Sequence, residues 1–233
     1  MRKLLLATAA VAAAICLAGC SKKVVQQHIP ETQDTLPVIT YDTLTDTRDG
    51  QTYKTVVIGG QMWMAQNLNY KIPDSSWCYE NSADTCNKYG RLYTWGAAMT
   101  ACPYGWTLPD SVMWRILETT AGGKIAGKNL KARNGWIPWL LTHSTVHRSY
   151  GNSNGTDRYG FSALPSGVRL PDGKFKYIGE HTGYWAYSNG PQSWEVFDFY
   201  HFLYYDFYGT ESGNVHPPVN GIGFSVRCVA DSP

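Results

Sequence analysis

Four cysteines lying beyond an export signal constrain this chain more than any other feature. It opens Met1-Arg2-Lys3 and then runs from Leu4 to Ala18 almost without polar groups. A short basic start followed by an apolar stretch of about 15 residues is a secretory signal, too short for a bilayer span of roughly 20. The stretch closes Leu17-Ala18-Gly19-Cys20, where small residues let a peptidase approach the backbone. Cleavage before Cys20 removes residues 1–19, and Cys16 with them. Cys78, Cys86, Cys102 and Cys228 remain downstream. An even number of thiols in an oxidising compartment predicts two disulfides. Three connectivities are open. We favour Cys78–Cys86, which closes a small loop, and Cys102–Cys228, which ties the middle of the domain to its C-terminus. Zinc is the rival, but Cys-x7-Cys and Cys-x15-Cys are not the short pairs of zinc sites. No metal or cofactor is expected.

A cysteine directly after such a signal resembles the bacterial lipobox, whose thiol is joined to a diacylglycerol before cleavage. The resemblance implies lipid attachment at Cys20 and a membrane as partner through that anchor. Several acyl chains hold stably where one binds reversibly. Residue 21 is Ser rather than Asp. By similarity to lipoprotein sorting in Gram-negative bacteria, that implies the outer membrane or cell surface. Once Arg2 and Lys3 leave with the signal, 18 of the 20 basic residues remain, against 18 acidic ones. The balance is zero, and no basic patch speaks for nucleic acid.

Residues 20–44 are polar, carry Thr and Pro, and show little apolar periodicity. They read as a flexible tether, with an edge strand near Leu36–Tyr41 as the alternative. A coil of about 24 residues spans roughly 25–30 Å. The domain then covers 45–233. Asp49-Gly50 and Gly59-Gly60 are turn pairs, the second between Tyr53–Ile58 and Gln61–Met64, so the domain opens as a meander of short strands. Gly90 to Ala101 places Leu92, Trp95, Ala98 and Met99 at helical spacing, and Cys102-Pro103 ends that helix. A second helix follows Pro109, capped by Asp110 or Ser111. Its apolar face is Met113, Ile116 and Leu117, and Gly122-Gly123 stops it. Little helical pattern follows, and the last strand is Gly223 to Val229. This order predicts an α+β domain.

Six phrases then carry a resemblance. They are Asp46-x-Arg48-Asp49-Gly50-x-x-Tyr53; Trp63-Met64-Ala65-Gln66-Asn67-Leu68; Tyr89-Gly90-Arg91-Leu92-Tyr93; Cys102-Pro103-x-Gly105-Trp106-x-Leu108-Pro109; Gly160-Phe161-Ser162-Ala163-Leu164-Pro165; and Gly223-Phe224-Ser225-Val226-Arg227-Cys228-Val229. In this order, from about residue 46 to 231, the chain resembles the Fibrobacter succinogenes major paralogous domain. The resemblance implies a secreted or surface domain with a C-type lectin-like fold: two helices, a small twisted antiparallel sheet and long loops. Trp106, Leu108 and Trp114 look like core anchors. Gly105 would permit close backbone approach beside Trp106. Asn67, between apolar residues, must satisfy its amide on the backbone of a neighbouring loop. The Glu-Pro-Asn or Gln-Pro-Asp triplet and the Trp-Asn-Asp of calcium-dependent lectins are absent, with His216-Pro217-Pro218 in that stretch instead. Formylglycine-generating relatives need a redox cysteine pair near the C-terminus, and Cys228 has no such neighbour. Asp42, Asp46 and Asp49 stand as a calcium alternative, although Asp49-Gly50 is explained as a turn.

Gly151-Asn152-Ser153-Asn154-Gly155 fits the pattern of a nucleophile elbow, but no apolar strand precedes it and no long helix can follow, so it reads as a loop. His143 and His147 would share one face of a helix, in a stretch without helical pattern. Between Tyr184 and Tyr208 stand 12 aromatics in 25 residues, where the whole chain has 32 in 233. Read with period two, one face of Trp194–Tyr208 carries Phe197, Phe199, His201, Leu203, Tyr205 and Phe207, a core candidate. The other mixes Tyr200, Tyr204 and Tyr208 with Asp198 and Asp206, which suits a half-exposed surface. A strand packed on both sides is the plain alternative, and Trp185 belongs to the core. Aromatic rings stack on the C–H faces of sugars, and Tyr and Trp give contact area at low entropy cost. Tyr200, Tyr204 and Tyr208 are the expected ligand contacts, joined by the loop aromatics Trp136 and Trp139. The expectation is a non-catalytic lipoprotein adhering to glycan or to a surface protein. The alternatives are a structural lipoprotein docking with envelope components and, behind it, a carbohydrate-active enzyme.

Overall fold

The computed structural model describes residues 38–137, 154–187, 198–202, 211–215 and 221–230, with segments 198–202 and 211–215 described by their backbone. Gly59 and Gly60 both hold positive φ, 61° and 77°. That is the conformation of a two-residue hairpin turn matched to strand twist. It joins β2 (Thr52–Ile58) to β3 (Gln61–Met64), antiparallel with Val56 opposite Trp63. β1 (Tyr41–Thr45) pairs along the other edge of β2. Residues 41–44, assigned by composition to the tether, are therefore strand. Their pairing rests on main-chain hydrogen bonds, which polar side chains do not advertise.

The α-helices among the described residues are α1 (Ala83–Tyr89), α2 (Trp95–Ala101), α3 (Ser111–Thr120) and α4 (Ala126–Leu130). In α3, the Asp110 carboxylate accepts from the Met113 N–H at 2.7 Å, the cap expected there. Its buried face is Trp114 and Leu117, whereas Ile116 is exposed. Helix α2 is shorter than the spacing from Gly90 implies. Leu92–Tyr93 instead form β5, flanked by β4 (Ser76–Trp77) and β12 (Phe224–Ser225). Thr94 then caps α2, accepting from Ala97 N–H.

The remaining strands are β6 (Trp106–Thr107), β7 (Ser166–Arg169), β8 (Phe175–Ile178), β9 (Gly183–Ala186), β10 (Asp198–Phe202), β11 (Glu211–Val215) and β13 (Val229–Ala230). One sheet has the order β1-β2-β3-β13-β6, a second β11-β10-β9-β12-β5-β4, and β7-β8 is a separate hairpin. The fold is thus α+β, with small, largely antiparallel sheets. The segment Gly223–Val229 is two strands rather than one. β12 lies in the second sheet and β13 in the first, and Val226-Arg227-Cys228 crosses between them. The favoured disulfides are both present, Cys78–Cys86 and Cys102–Cys228.

Strand β9 separates two cores. Tyr184 and Ala186 join Val56, Trp63, Trp114 and Phe161, while Trp185 joins Met64, Tyr93, Ala98 and Phe224. The Trp185 indole donates to the Tyr93 carbonyl at 2.6 Å. The start of the aromatic belt is therefore packed on both faces. Of the expected anchors, Leu108 and Trp114 are buried and Trp106 is half-buried. Gly105 has open space where a Cβ would stand, so its φ of +78° serves a turn and not the close approach expected of it.

Candidate functional site

Past β3 the chain runs Gln66-Asn67-Leu68-Asn69. The buried Asn67 amide donates to the Tyr89 carbonyl (2.8 Å) and to Ser225 Oγ (3.3 Å). Its Oδ1 accepts from Arg227 Nε (2.7 Å) and Tyr184 O–H (3.4 Å). This is the satisfied amide its apolar neighbours require. Gly90 makes it possible. At φ +73°, a Cβ there would meet Asn67 Cβ at 2.7 Å and the Leu68 carbonyl at 2.8 Å.

Arg227 is fully buried. Besides Asn67, its guanidinium donates to the carbonyls of Met64 (3.0 Å), Phe161 and Ser162 (3.0 Å), and it lies 4.5 Å over the Phe161 ring. Burial lowers its pKa. All four hydrogen-bond acceptors are neutral, so the positive charge is held without a bonded carboxylate. The Phe161-Ser162 turn is fixed in turn by Asp157, whose carboxylate accepts from the Ser162 N–H (2.7 Å) and hydroxyl.

Around this frame opens a cleft of about 540 Å³. β1 and β2 contribute Tyr41 and Lys54 to its lining. The segment after β3 contributes Gln66, Asn67 and Asn69, and α1 contributes Asn87 and Lys88. Arg133 and Asn134 follow α4, and Asp157, Ser162 and Arg227 complete the inner end. Lys54, Asn87, Lys88, Arg133 and Asn134 are exposed. Lys54 lies 5.4 Å over the Tyr41 ring and Lys88 4.9 Å over that of Tyr89. Among the described residues neither lysine, nor Arg133, forms an ion pair. Chemically the described lining residues offer ammonium, guanidinium and amide donors around one carboxylate, that of Asp157. Its rim residues come from separate stretches and form no motif. The only signal in the sequence is adjacency to the resemblance phrases, with Lys54 following Tyr53 and Asn87-Lys88 preceding Tyr89.

Trp136 is 3% exposed, donates from its indole to the Ala163 carbonyl (3.1 Å) and has Lys131 Nζ 4.4 Å from its ring. It is a core residue, and its faces are not open to a ligand, contrary to the expectation. Tyr200 stands on β10, in register with Trp185 of β9 and Gly213 of β11. Cys20, Trp139, Tyr204, Tyr208, His143, His147 and His216 lie outside the described residues. Of the elbow-like pentapeptide, Asn154 and Gly155 are described. A Cβ at Gly155 would sit 2.1 Å from the Lys131 carbonyl, so close packing demands the glycine. Asp46 is buried and paired with Arg48 (2.9 and 2.7 Å), which reaches on to the Ala101 carbonyl at 2.7 Å. Burial pushes the Asp46 carboxyl up, but Arg48 outweighs this and holds it below the usual range. This ion pair fastens the Asp46–Gly50 turn to the end of α2 rather than offering a cation ligand. Among the described residues no group of three His, Cys, Asp or Glu could hold a metal.

No curated protein and no solved structure matches the chain. The model of the Fibrobacter succinogenes major domain matches residues 56–230, a span that contains all four disulfide cysteines and both bonds between them. The match covers most of the sequence, and the chain belongs to the Fibrobacter succinogenes major domain family.

Proposed function

We propose that this is a non-catalytic surface lipoprotein, cut before Cys20, anchored there by lipid in the outer membrane, and binding glycan in the cleft between β2, α1 and the loop after α4. The observation that carries the reading is the division of labour among the lining residues. The inner ones, Asn67, Asp157 and Arg227, are engaged with the protein itself. The rim ones present exposed amides and cations. Polar donors on a concave, preformed frame suit a hydroxyl-rich ligand. Protein partners favour apolar and aromatic pockets instead. Glycoside hydrolysis uses a pair of carboxyl groups, and Asp157 is the one carboxylate among the described lining residues. The pairing of early and late strands, β3 with β13 and β13 with β6, supports a C-type lectin-like arrangement.

The test is retention of the mature chain on insoluble polysaccharides and on a glycan array. Asn87→Ala with Asn134→Ala should weaken retention about tenfold, the loss of one or two hydrogen bonds. Retention unchanged by that pair, or no retention on any glycan, refutes the reading. Tyr200→Ala in the same assay tests the belt tyrosines Tyr200, Tyr204 and Tyr208 as additional contacts.

A further inference from the structure

We infer that the ligand of this cleft is an anionic glycan, a chain bearing carboxylate or sulfate groups. The inference rests on the glycan reading above and narrows it. Among the described residues four cationic side chains line the cleft, Lys54, Lys88, Arg133 and Arg227, against the one carboxylate of Asp157. That carboxylate is already occupied by the Ser162 N–H and hydroxyl. The bias is local, because basic and acidic residues balance over the chain beyond residue 19. A cleft of one sign with low-dielectric walls focuses its field and concentrates counter-ions.

The bonding of Arg227 adds a second observation. Buried charges are normally paired, yet its hydrogen bonds run to one amide oxygen and three carbonyls. Asp157 acts on it only through space. A positive charge with no hydrogen-bonded carboxylate therefore sits at the inner end of a cleft whose rim is also positive. Lys54, Lys88 and Arg133 can meet an anionic substituent directly, while Gln66, Asn87 and Asn134 can hydrogen-bond ring hydroxyls. A nucleic acid would want a longer basic stripe than a neutral domain offers.

The probes are polygalacturonate, a sulfated galactan and an uncharged glucan, each titrated against the mature chain with its disulfides intact. Binding to at least one of the charged polymers should exceed binding to the glucan by about tenfold, and should fall by at least about tenfold between roughly 0.01 and 1 M salt as the Debye length shrinks. Which charged polymer wins distinguishes carboxylate from sulfate. The triple variant Lys54→Gln, Lys88→Gln, Arg133→Gln should lose the preference for the charged polymers at an unchanged melting temperature, since all three side chains are exposed. Equal or better binding to the uncharged glucan, or binding indifferent to salt, overturns the anionic assignment and leaves the glycan reading standing. Failure to bind all three polymers, together with silence on the glycan array, overturns both.

Discussion

Replacing Arg227 with Met removes the donors that tie the two sheets to the Phe161-Ser162 turn while keeping most of the stem. Four acceptors lose a partner: Asn67 Oδ1, and the carbonyls of Met64, Phe161 and Ser162. Asn67 Oδ1 keeps the Tyr184 hydroxyl at 3.4 Å, so three are left effectively orphaned. An unsatisfied buried acceptor costs about 1–3 kcal/mol. The guanidinium's own desolvation works the other way and trims that sum, leaving a net loss of about 3 kcal/mol. With a urea slope of about 2 kcal/mol/M, the midpoint should drop by about 1.5 M, read by tryptophan fluorescence on the oxidised chain. Arg227→Lys keeps the charge, but one ammonium cannot reproduce the planar fork, so it should recover less than half of the loss. Pairing Arg227→Met with Asn67→Leu removes an orphan together with its donor, and the double variant should lose less than the sum of the singles. A change within about 1 kcal/mol for Arg227→Met, or full stability in Arg227→Lys, would show that the fork of hydrogen bonds is not what holds this junction.

The disulfides differ in reach. Cys102–Cys228 spans 126 residues and Cys78–Cys86 spans 8, so the chain-entropy model assigns them about 4.9 and 2.5 kcal/mol. Cys102→Ala with Cys228→Ala should therefore lower the melting temperature distinctly more than Cys78→Ala with Cys86→Ala, and the reverse order would refute the argument. His181 is buried against the Tyr177 ring, and burial lowers its pKa from 6.5 to about 4. Between those values the unfolded chain binds the extra proton, so stability rises with pH there. The contribution is complete above about 6.5 and falls away toward pH 4, by up to about 3 kcal/mol. His181→Gln should flatten that part of the stability profile, and a wild-type profile running parallel to it would sink the assignment.

How much of this was legible in sequence depends on how local each cause is. The β2–β3 hairpin follows from Gly59-Gly60, and α3 from its Asp110 cap, both decided within a few residues. Asn67 was legible as a buried amide because Trp63, Met64 and Leu68 surround it. Leu92 and Tyr93 were misread as helix because nothing local makes them a strand. Their partners are Trp77 and Ser76 on one side and Ser225 and Phe224 on the other. Helix α1 was missed because its one buried residue, Cys86, leaves no apolar period to see. Trp136 read as an exposed loop aromatic because its acceptor, the Ala163 carbonyl, lies 27 residues away. The cleft was invisible for the same reason, being assembled from segments that meet only through tertiary packing.

That assembly has a further logic. The phrases that carry the family resemblance supply the frame. Asp46 and Arg48 pin the first turn to α2, Gly90 gives way to Asn67, and Arg227 gathers Met64, Asn67, Phe161 and Ser162. Lys54, Asn87, Lys88, Arg133 and Asn134 lie outside those phrases, on the rim of the cleft that the frame creates. Substitution within the frame propagates, because each of its polar groups satisfies another. Substitution on the rim changes charge and hydrogen-bonding capacity at exposed positions, where stability usually moves by less than about 0.5 kcal/mol. A domain divided this way can alter what it holds without altering how it folds. Specificity should therefore be transferable: exchanging the three rim cations for neutral or acidic side chains should redirect the proposed binding while the Arg227 junction and both disulfides keep the fold.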